Sequence, residues 1–261
     1  MADWALILGS SSGFGEASAR AYAGAGFNVF GVHLDRKSTL SHVDDVVGAI
    51  RGAGREVEYF NVNAADPVKR GEVLDHVAER LSESGETVRV LLHSLAFGTL
   101  KPYIGGEGRA GIQPKEMEMT LDVMAHSLVY WSQELVARGL MRDGGRIFAM
   151  TSTGDFHAWP TYGPVSAAKA ALEAHVRQLA LELAPHGITA NAIRAGVTDT
   201  PALRKIPGHE EMVESARRKN PHKRLTTPED VAQALVILSR PEAHWITGNV
   251  IGVDGGEEIA G

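Results

Sequence analysis

Short apolar segments alternate with helix-like segments along almost the whole chain, and this alternation limits the fold more than any other feature. The apolar segments are Ala5–Leu8, Phe27–Leu34, Val57–Val62, Val88–His93, Arg146–Thr151, Ile188–Arg194 and Asn249–Val253. Segments this short and apolar are typical of strands buried on both faces of a parallel sheet. The pattern therefore predicts an α/β fold, doubly wound, with a parallel sheet of about seven strands and helices on both faces.

The segments between these strands carry helix signals. Predicted helices cover Glu16–Ala25, Ser41–Gly52, Pro67–Ser82, part of Gln113–Arg142, Pro164–Ala184 and the segment from Thr227 to about Arg240. Asp66-Pro67 and Thr227-Pro228 are typical helix starts, with a capping side chain followed by proline. Composition does not change along the chain, so one domain over residues 1–261 is expected. Gly105–Gly111 is interpreted as a flexible loop.

Composition excludes several kinds of function. The 261 residues include no cysteine, which rules out disulfides, thiolate nucleophiles and Cys-ligated metals. The formal charge of -6 argues against a nucleic-acid partner. Apolar stretches stay below the roughly 18 residues that span a bilayer, and the acidic start does not resemble a secretory signal. We therefore expect a cytoplasmic protein without a membrane partner. The eleven histidines form no metal-binding motif, so no metal is expected.

The composition is unusual only in its 29 glycines, and the first cluster of these glycines suggests a ligand. Gly9, Gly13 and Gly15 lie in the turn between the first strand and the first helix. Such a turn lets backbone amides approach a pyrophosphate at the positive end of the helix. Its spacing is G-x-x-x-G-x-G rather than G-x-G-x-x-G, and glycines in such turns can serve packing alone. Its position favours dinucleotide binding in a Rossmann-type domain.

Several further motifs follow in a familiar order. They are Asn61-Val62, Ala195–Thr200, Ile246–Val250 and Val253–Gly256. With the glycine turn, they make nearly the whole chain resemble the short-chain dehydrogenase/reductases. The resemblance implies that Asn61-Val62 flanks adenine, that Ala195–Thr200 holds the nicotinamide carboxamide, and that the protein is a homotetramer.

The end of the second strand bears on which nicotinamide cofactor is used. An acidic residue there would bind the ribose 2′-hydroxyl, but alignment of the strand places His33 at that position. Arg36 and Lys37 follow and could pair with a 2′-phosphate. Asp35 would become the ribose acceptor if the alignment shifted by two residues, and these charges could instead be solvated. The sequence favours NADPH over NADH.

The sequence and the resemblance together predict a cofactor site. Its residues are Gly9, Ser11, Ser12, Gly13, Phe14, Gly15, His33, Arg36, Asn61, Val62, Ser94, Leu95, Ala96, Lys169, Gly196, Val197, Thr198 and Thr200.

The candidate catalytic residues are Tyr162, Lys169 and Ser152. Lys169 lies in Ser166–Glu173, which is similar to the family's active-site helix, where tyrosine usually stands four residues before the lysine. That position is Val165 here, and the available tyrosine is Tyr162, seven residues before the lysine. Seven residues span at most about 10.5 Å of helix. Because Pro164 marks the predicted helix start, Tyr162 can lean back toward Lys169.

This wider spacing resembles the enoyl-acyl-carrier-protein reductases. His93–Phe97 stands where ketoreductases usually carry Asn-Asn-Ala-Gly, and Met124 is nearest the position of their helix asparagine. Pro201–Leu203 and Ile206–Glu210 look closest to the NADPH-using type III form of these enzymes. Ser152, 17 residues before Lys169, is the ketoreductase serine position, which the type III form also keeps.

The resemblance implies that hydride adds to Cβ of a trans-2-enoyl thioester while Tyr162 stabilises the enolate, in fatty-acid or related acyl synthesis. Lys169 would hold the ribose, and Ser152 would orient the tyrosine or the substrate. Phe97, Trp159, Tyr162 and Ile206 are the predicted substrate contacts.

The substrate is expected to be a small acyl thioester, and an acyl carrier protein could carry it. The basic residues Arg217–Lys219 and His222–Arg224 could dock such an acidic carrier, or they could form a solvated turn. Two alternatives remain for the function: a 3-oxoacyl or other ketone reductase, and a catalytically silent cofactor-binding regulator.

Overall fold

The sheet of the protein is seen in a computed structural model that describes residues 3–82, 84–106, 108 and 110–260. Its strands are β1 (Trp4–Leu8), β2 (Asn28–His33), β3 (Val57–Asn61), β4 (Val88–His93), β5 (Arg146–Thr151), β6 (Thr189–Ala195) and β7 (Val250–Val253). They form one seven-stranded sheet in the order β3-β2-β1-β4-β5-β6-β7. Every neighbouring pair is parallel. The predicted parallel sheet is confirmed.

Helices cover both faces of this sheet. They are α1 (Gly13–Gly24), α2 (Leu40–Gly52), α3 (Pro67–Ser82), α4 (Pro114–Leu121), α5 (Ser127–Ala137), α6 (Gly163–Leu183), α7 (His209–Lys219) and α8 (Pro228–Leu238). Alternate β1 side chains face opposite layers: Leu6 packs with α3, α5 and α6, and Ile7 packs with α1, α2 and α8. The fold is the doubly wound Rossmann type that the alternation of strands and helices predicts. Because residues at both ends lie outside the described part, the domain bounds 1–261 stay a prediction.

Two parts of the fold differ from the sequence prediction. The long helix within Gln113–Arg142 is interrupted by a π-helical segment, Asp122–His126, between α4 and α5. Helix α7 lies in a segment for which no helix was predicted. In the glycine-rich stretch, Glu107 and Arg109 lie outside the described residues, and the other members form neither helix nor extended strand.

Two kinds of feature that would suggest a partner are absent from the described residues. None of their helices is both long and apolar enough to cross a bilayer. The same residues contain no group of three or more His, Asp or Glu side chains that could hold a metal ion.

Candidate active site

A cavity of about 450 Å³ opens at the carboxyl ends of the strands. It lies at the point where the strand order reverses, between β1 and β4, since both Gly9 and Ser94 line it. Doubly wound sheets bind ligands at this switch point. The volume falls within the range of ordinary cofactor and substrate sites.

The glycine turn after β1 has a conformation that side chains would block. Gly9 has a φ of +87°, and a Cβ there would lie 2.5 Å from the carbonyl oxygen of Ser94. At Gly15 a Cβ would lie 2.0 Å from the carbonyl oxygen of Gly9. The turn is therefore tight, and α1 begins inside it at Gly13. Ser11, Ser12, Gly13 and Phe14 line the cavity at the start of that helix, where backbone amides favour an anion.

At the end of β2, three side chains hold Asp35 in place, two through its carboxylate and one through its backbone. Its Oδ2 lies 2.9 Å from Nδ1 of buried His33, and its Oδ1 accepts a 2.7 Å bond from the Thr39 hydroxyl. The Asn61 side chain accepts from the Asp35 N–H at 2.9 Å and donates to the Asp35 carbonyl at 3.0 Å. The hydrogen bonds from Ser11, Thr39 and His33 outweigh its partial burial and lower the pKa of Asp35. A negative charge therefore lies at the end of β2, next to His33 and Leu34, which line the cavity.

The end of β4 is held by a buried histidine. His93 Nε2 lies 2.8 Å from the Ser127 hydroxyl, which itself donates to the Val123 carbonyl at 2.8 Å. The histidine is therefore the donor to Ser127. Burial, with a smaller effect of the Lys169 charge, lowers the pKa of His93 to about 3, so the ring is neutral. This contact joins the end of β4 to the region of the π-helical segment. It thereby holds the point at which Ser94–Phe97, which lines the cavity, leaves the sheet.

Ser152 and Tyr162 face each other across the cavity wall. The two hydroxyl oxygens lie 3.5 Å apart. The Tyr162 ring packs against the backbone of Gly154, where a Cβ would lie 2.4 Å from Tyr162 Cε1. Burial raises the pKa of Tyr162, and the hydrogen bond to Ser152 only partly offsets this. The phenol is therefore protonated near neutral pH and can donate a hydrogen bond into the cavity.

Lys169 lies almost two helical turns further along α6 and lines the same cavity. Tyr162 is the N-cap of this helix, which begins at Gly163, one residue before the predicted start at Pro164. The Lys169 ammonium donates to the Met150 carbonyl at 2.8 Å. Burial lowers the pKa of Lys169 to about 8, and the Glu173 carboxylate opposes this shift. An ammonium of this kind can address a ligand only from its remaining N–H groups.

The residue before Tyr162 has a strained backbone. Thr161 has a φ of 65°, in the left-handed region that β-branched residues avoid. Its hydroxyl is buried without a hydrogen-bond partner. The strain lies directly beside a candidate catalytic residue, where such conformations tend to occur.

Replacing Thr161 by glycine should stabilise the protein by about 1 kcal/mol, because relief of strain exceeds the added chain entropy of glycine. The thermal unfolding midpoint should rise by roughly 2–4 °C for each kcal/mol. Thr161→Ala is the matched control, since it removes the hydroxyl but keeps the Cβ that makes a positive φ costly. A midpoint for the glycine variant no higher than that of the alanine variant would contradict the prediction.

The substrate side of the cavity has an apolar wall that was not predicted from the sequence. Its members are Leu100, Met119, Val123, Met124 and Val165. Gly98 allows this wall to close, since a Cβ there would lie 2.8 Å from the Met124 sulfur. A signal was present in the methionine-rich stretch of α4 and in Met124, which is nearest the position of the ketoreductase asparagine. Asn63, Pro201, Ala202, Leu203 and Lys205 also line the cavity and were not predicted as contacts.

The structure brings most of the predicted site residues to this one cavity. They are Gly9, Ser11, Ser12, Gly13, Phe14, His33, Val62, Ser94, Leu95, Ala96, Phe97, Ser152, Tyr162, Lys169, Thr198, Thr200 and Ile206.

Six predicted contacts do not line the cavity: Gly15, Arg36, Asn61, Trp159, Gly196 and Val197. Gly15 packs on Gly9, Asn61 is bonded to Asp35, and Arg36 is exposed. The Trp159 indole N–H donates to the Pro207 carbonyl at 3.2 Å. Gly196 is enclosed by Thr226 and Glu257, and the Val197 N–H donates to Glu257 at 3.2 Å. Packing and hydrogen bonds within the protein therefore occupy these residues except Arg36, which faces solvent.

A protein-family model described as enoyl-(acyl carrier protein) reductase matches residues 9–258. The chain belongs to this family. The family is a branch of the short-chain dehydrogenase/reductases, and the protein is an oxidoreductase of that group. The matched stretch includes the glycine turn, Ser152, Tyr162 and Lys169.

Relatives within the short-chain dehydrogenase/reductases have different named activities. The enoyl-[acyl-carrier-protein] reductase [NADH] FabI of Aquifex aeolicus is 32% identical over 197 residues, 74% of this chain and 71% of that one. Its crystal structure matches with a TM-score of 0.84 at 26% identity, covering 99% of this chain and 97% of the other. The 1-cyclohexenylcarbonyl-CoA reductase of Streptomyces collinus is 29% identical over 258 residues, 97% of this chain and 86% of that enzyme. The 3-oxoacyl-[acyl-carrier-protein] reductase FabG of Thermotoga maritima is 26% identical over 251 residues, 96% of each.

The expected preference for NADPH is wrong. The Aquifex enzyme is named as an NADH enzyme, as are four further FabI relatives, from Nostoc, Synechocystis, Rickettsia felis and Bacillus cereus. Alignment of the strand predicts His33 at the ribose position. The His33 ring, however, is buried and hydrogen-bonded to the Asp35 carboxylate. The Asp35 carboxylate, two residues later, carries a negative charge at the end of β2, and neither Asp35 nor Arg36 lines the cavity.

Proposed function

We propose that the protein is an NADH-dependent enoyl-thioester reductase. The arrangement of Tyr162 and Lys169 carries this proposal. Both side chains line one cavity although they lie seven positions apart in the sequence, and Val165, at the usual tyrosine position, is buried and has no proton to give. The family model and the Aquifex and Streptomyces relatives support a C=C bond as the one reduced.

The residues fit a nicotinamide dinucleotide along the length of the cavity. The glycine turn offers backbone amides to the pyrophosphate, and the fixed Asp35 carboxylate offers an acceptor to the ribose hydroxyls of adenosine. The same carboxylate would repel a 2′-phosphate, which supports NADH as the cofactor. Ser94, Leu95, Thr198 and Thr200 would surround the nicotinamide end. When bound, the cofactor supplies the hydride that adds to Cβ of the enoyl thioester.

Tyr162 and Lys169 have different roles in the rest of the proposed reaction. As negative charge develops on the thioester oxygen, the Tyr162 hydroxyl donates a hydrogen bond to it and stabilises the enolate. The Lys169 ammonium would hold the nicotinamide ribose and, by its charge, favour the tyrosine as a donor. Ser152 would orient the Tyr162 hydroxyl.

The apolar wall indicates where the acyl chain would lie. Met119, Val123, Met124 and Ile206 offer no hydrogen bonds along this part of the cavity and suit a hydrocarbon. The exposed Lys205 at the rim could meet an anionic carrier, as could the basic segments Arg217–Lys219 and His222–Arg224. An acyl carrier protein as partner and a homotetramer stay predictions.

Reduction of a 3-oxoacyl thioester is the second candidate. The hydroxyls of Ser152 and Tyr162, 3.5 Å apart, resemble the donor pair that a ketone needs, and the Thermotoga relative is named for that reaction. Against it, Met124 is nearest the position of the ketoreductase asparagine, and the wall around it is apolar.

Parallel assays with crotonyl and acetoacetyl thioesters decide between the two candidates. Oxidation of NADH and of NADPH is followed by absorbance with each substrate. We expect faster turnover of the crotonyl thioester and a higher kcat/KM with NADH. Faster turnover of the acetoacetyl thioester would contradict the proposal. No turnover of either despite tight NADH binding would instead favour a cofactor-binding regulator.

A further inference from the structure

Three charged side chains from three different elements meet behind the candidate catalytic residues. Arg194 near the end of β6 donates from Nη2 to Asp155 Oδ2 at 3.0 Å and to Glu173 Oε1 at 3.2 Å. The exposed fractions of the side chains are 22% for Arg194, 9% for Asp155 and 10% for Glu173. We call these three residues the Arg194 cluster.

Stability alone is a poor reason for such a cluster. Withdrawing three charged groups from water costs about as much as their attraction returns, or more. Arg194 Nε and Asp155 Oδ1 are also buried without a hydrogen-bond partner. An apolar set of similar volume would therefore serve the core at least as well, which points to a geometric role.

Asp155 joins the cluster to the turn that carries Ser152. The short 3-10 turn Thr153–Asp155 follows Ser152 directly, and the Asp155 N–H donates to the Ser152 carbonyl at 3.3 Å. Gly154, in the middle of this turn, supports the Tyr162 ring. The Arg194 guanidinium also lies 4.8 Å from the ring centre of Phe156, the next residue. Arg194 thus holds the far end of the turn through a charge and an aromatic contact.

Glu173 joins the cluster to the other catalytic residue. It lies one helical turn after Lys169 on α6, and its Oε1 also accepts a 2.8 Å bond from the Thr151 hydroxyl. Thr151 is the last residue of β5 and directly precedes Ser152. The cluster therefore contacts the chain on both sides of Ser152, at Thr151 and at Asp155. Through Glu173 it also connects this segment to the helix that carries Lys169.

We propose that Arg194 is a positioning residue that sets the separation of the Ser152 and Tyr162 hydroxyls by holding Asp155 and Glu173. The proposal rests on the proposed function only in that Tyr162 is taken as the group that meets the substrate. It applies equally to reduction of an enoyl or a keto thioester.

The kinetic test uses Arg194→Met, Asp155→Asn and the double variant. Each single change should lower kcat by about 10- to 100-fold, because a displacement of about 1 Å has effects of this size. The Kd for NADH should change by less than a factor of about two, since the glycine turn and Asp35 lie elsewhere. The double variant should lose no more than the worse single variant, because both changes break one connection. Arg194→Lys keeps the charge but not the stacking, so it should recover part of kcat.

Arg138→Met is the matched control. Arg138 also pairs with two carboxylates, Asp75 and Glu134, but none of the three lines the cavity. This variant should keep the wild-type kcat. All assays are run at a temperature at which circular dichroism shows each variant folded. A folded Arg194→Met variant with wild-type kcat, or with a loss matched by Arg138→Met, would overturn the proposal.

A second measurement separates this proposal from the proposed function. With 3-fluorotyrosine at position 162, the fluorine resonance should shift or broaden in the Arg194→Met protein and stay unchanged in the Arg138→Met protein. If the wild-type protein reduces neither thioester, the proposed function fails, yet the resonance still reports on the ring. An unchanged resonance in the Arg194→Met protein would overturn the positioning role regardless of activity.

Discussion

Replacing Tyr162 by phenylalanine is expected to lower kcat for a crotonyl thioester by a factor of about 10² to 10³. The change removes the hydroxyl that we propose donates to the developing charge on the thioester oxygen, while the ring keeps its packing against Gly154. Because burial raises the pKa of Tyr162, the phenol stays protonated across the neutral range. Its titration should therefore not affect how kcat varies with pH in that range. Initial rates at saturating NADH measure the effect. The Kd for NADH should change little, because the loss is confined to the transition state.

Tyr130→Phe is the control for this change. Tyr130 lies on α5 with its ring 5.3 Å from the Arg70 guanidinium and does not line the cavity. The control should keep the wild-type kcat. A Tyr162→Phe enzyme with undiminished kcat would show that another group stabilises the enolate, and the assignment of Tyr162 would then be wrong.

The fold could be predicted wherever local apolar pattern decides the structure. The bounds of β4 and β5 agree with the sequence prediction residue for residue, because each is a short buried segment between polar turns. The start of α1 was placed three residues late because Gly13–Gly15 forms its first turn, which helix propensity disfavours. Helix α7 was missed because most of its residues are charged or polar, and its narrow apolar face consists only of Met212, Val213 and Ala216.

The site could be predicted only where a motif keeps its residues close in sequence. The glycine turn and the Tyr162–Lys169 spacing are of this kind. The cofactor preference failed because Asn61, 26 residues away, helps to hold Asp35 at the end of β2. Arg194, Asp155 and Glu173 come from separate elements, and no local pattern links them. The strain at Thr161 is a backbone angle, which the residue type gives no reason to expect.

Replacing Lys169 by methionine should abolish most activity while leaving the fold intact. The ammonium is the cationic group that we place at the nicotinamide ribose, so kcat/KM should fall by at least about 10²-fold. In the wild-type enzyme, kcat/KM should decline as pH rises through about 8, where the buried ammonium loses its proton. The residual activity of the variant should lack this decline. Lys115→Met, which alters an exposed lysine on α4, should keep both the rate and the pH profile.

The same substitution should raise stability, with a pH dependence of known sign. The pKa of Lys169 is about 8 in the fold and 10.5 without its surroundings, so the unfolded chain holds the proton more tightly. The ionised side chain therefore destabilises the fold below pH 8, by about 3 kcal/mol, and this penalty vanishes as pH rises from 8 to 10.5. Methionine avoids the penalty, so its thermal midpoint should exceed that of the wild type at pH 7 and approach it above pH 10. A lower midpoint at pH 7 would mean that Lys169 is held by contacts that outweigh its desolvation. The Lys169 ammonium would then contribute to stability as well as to catalysis.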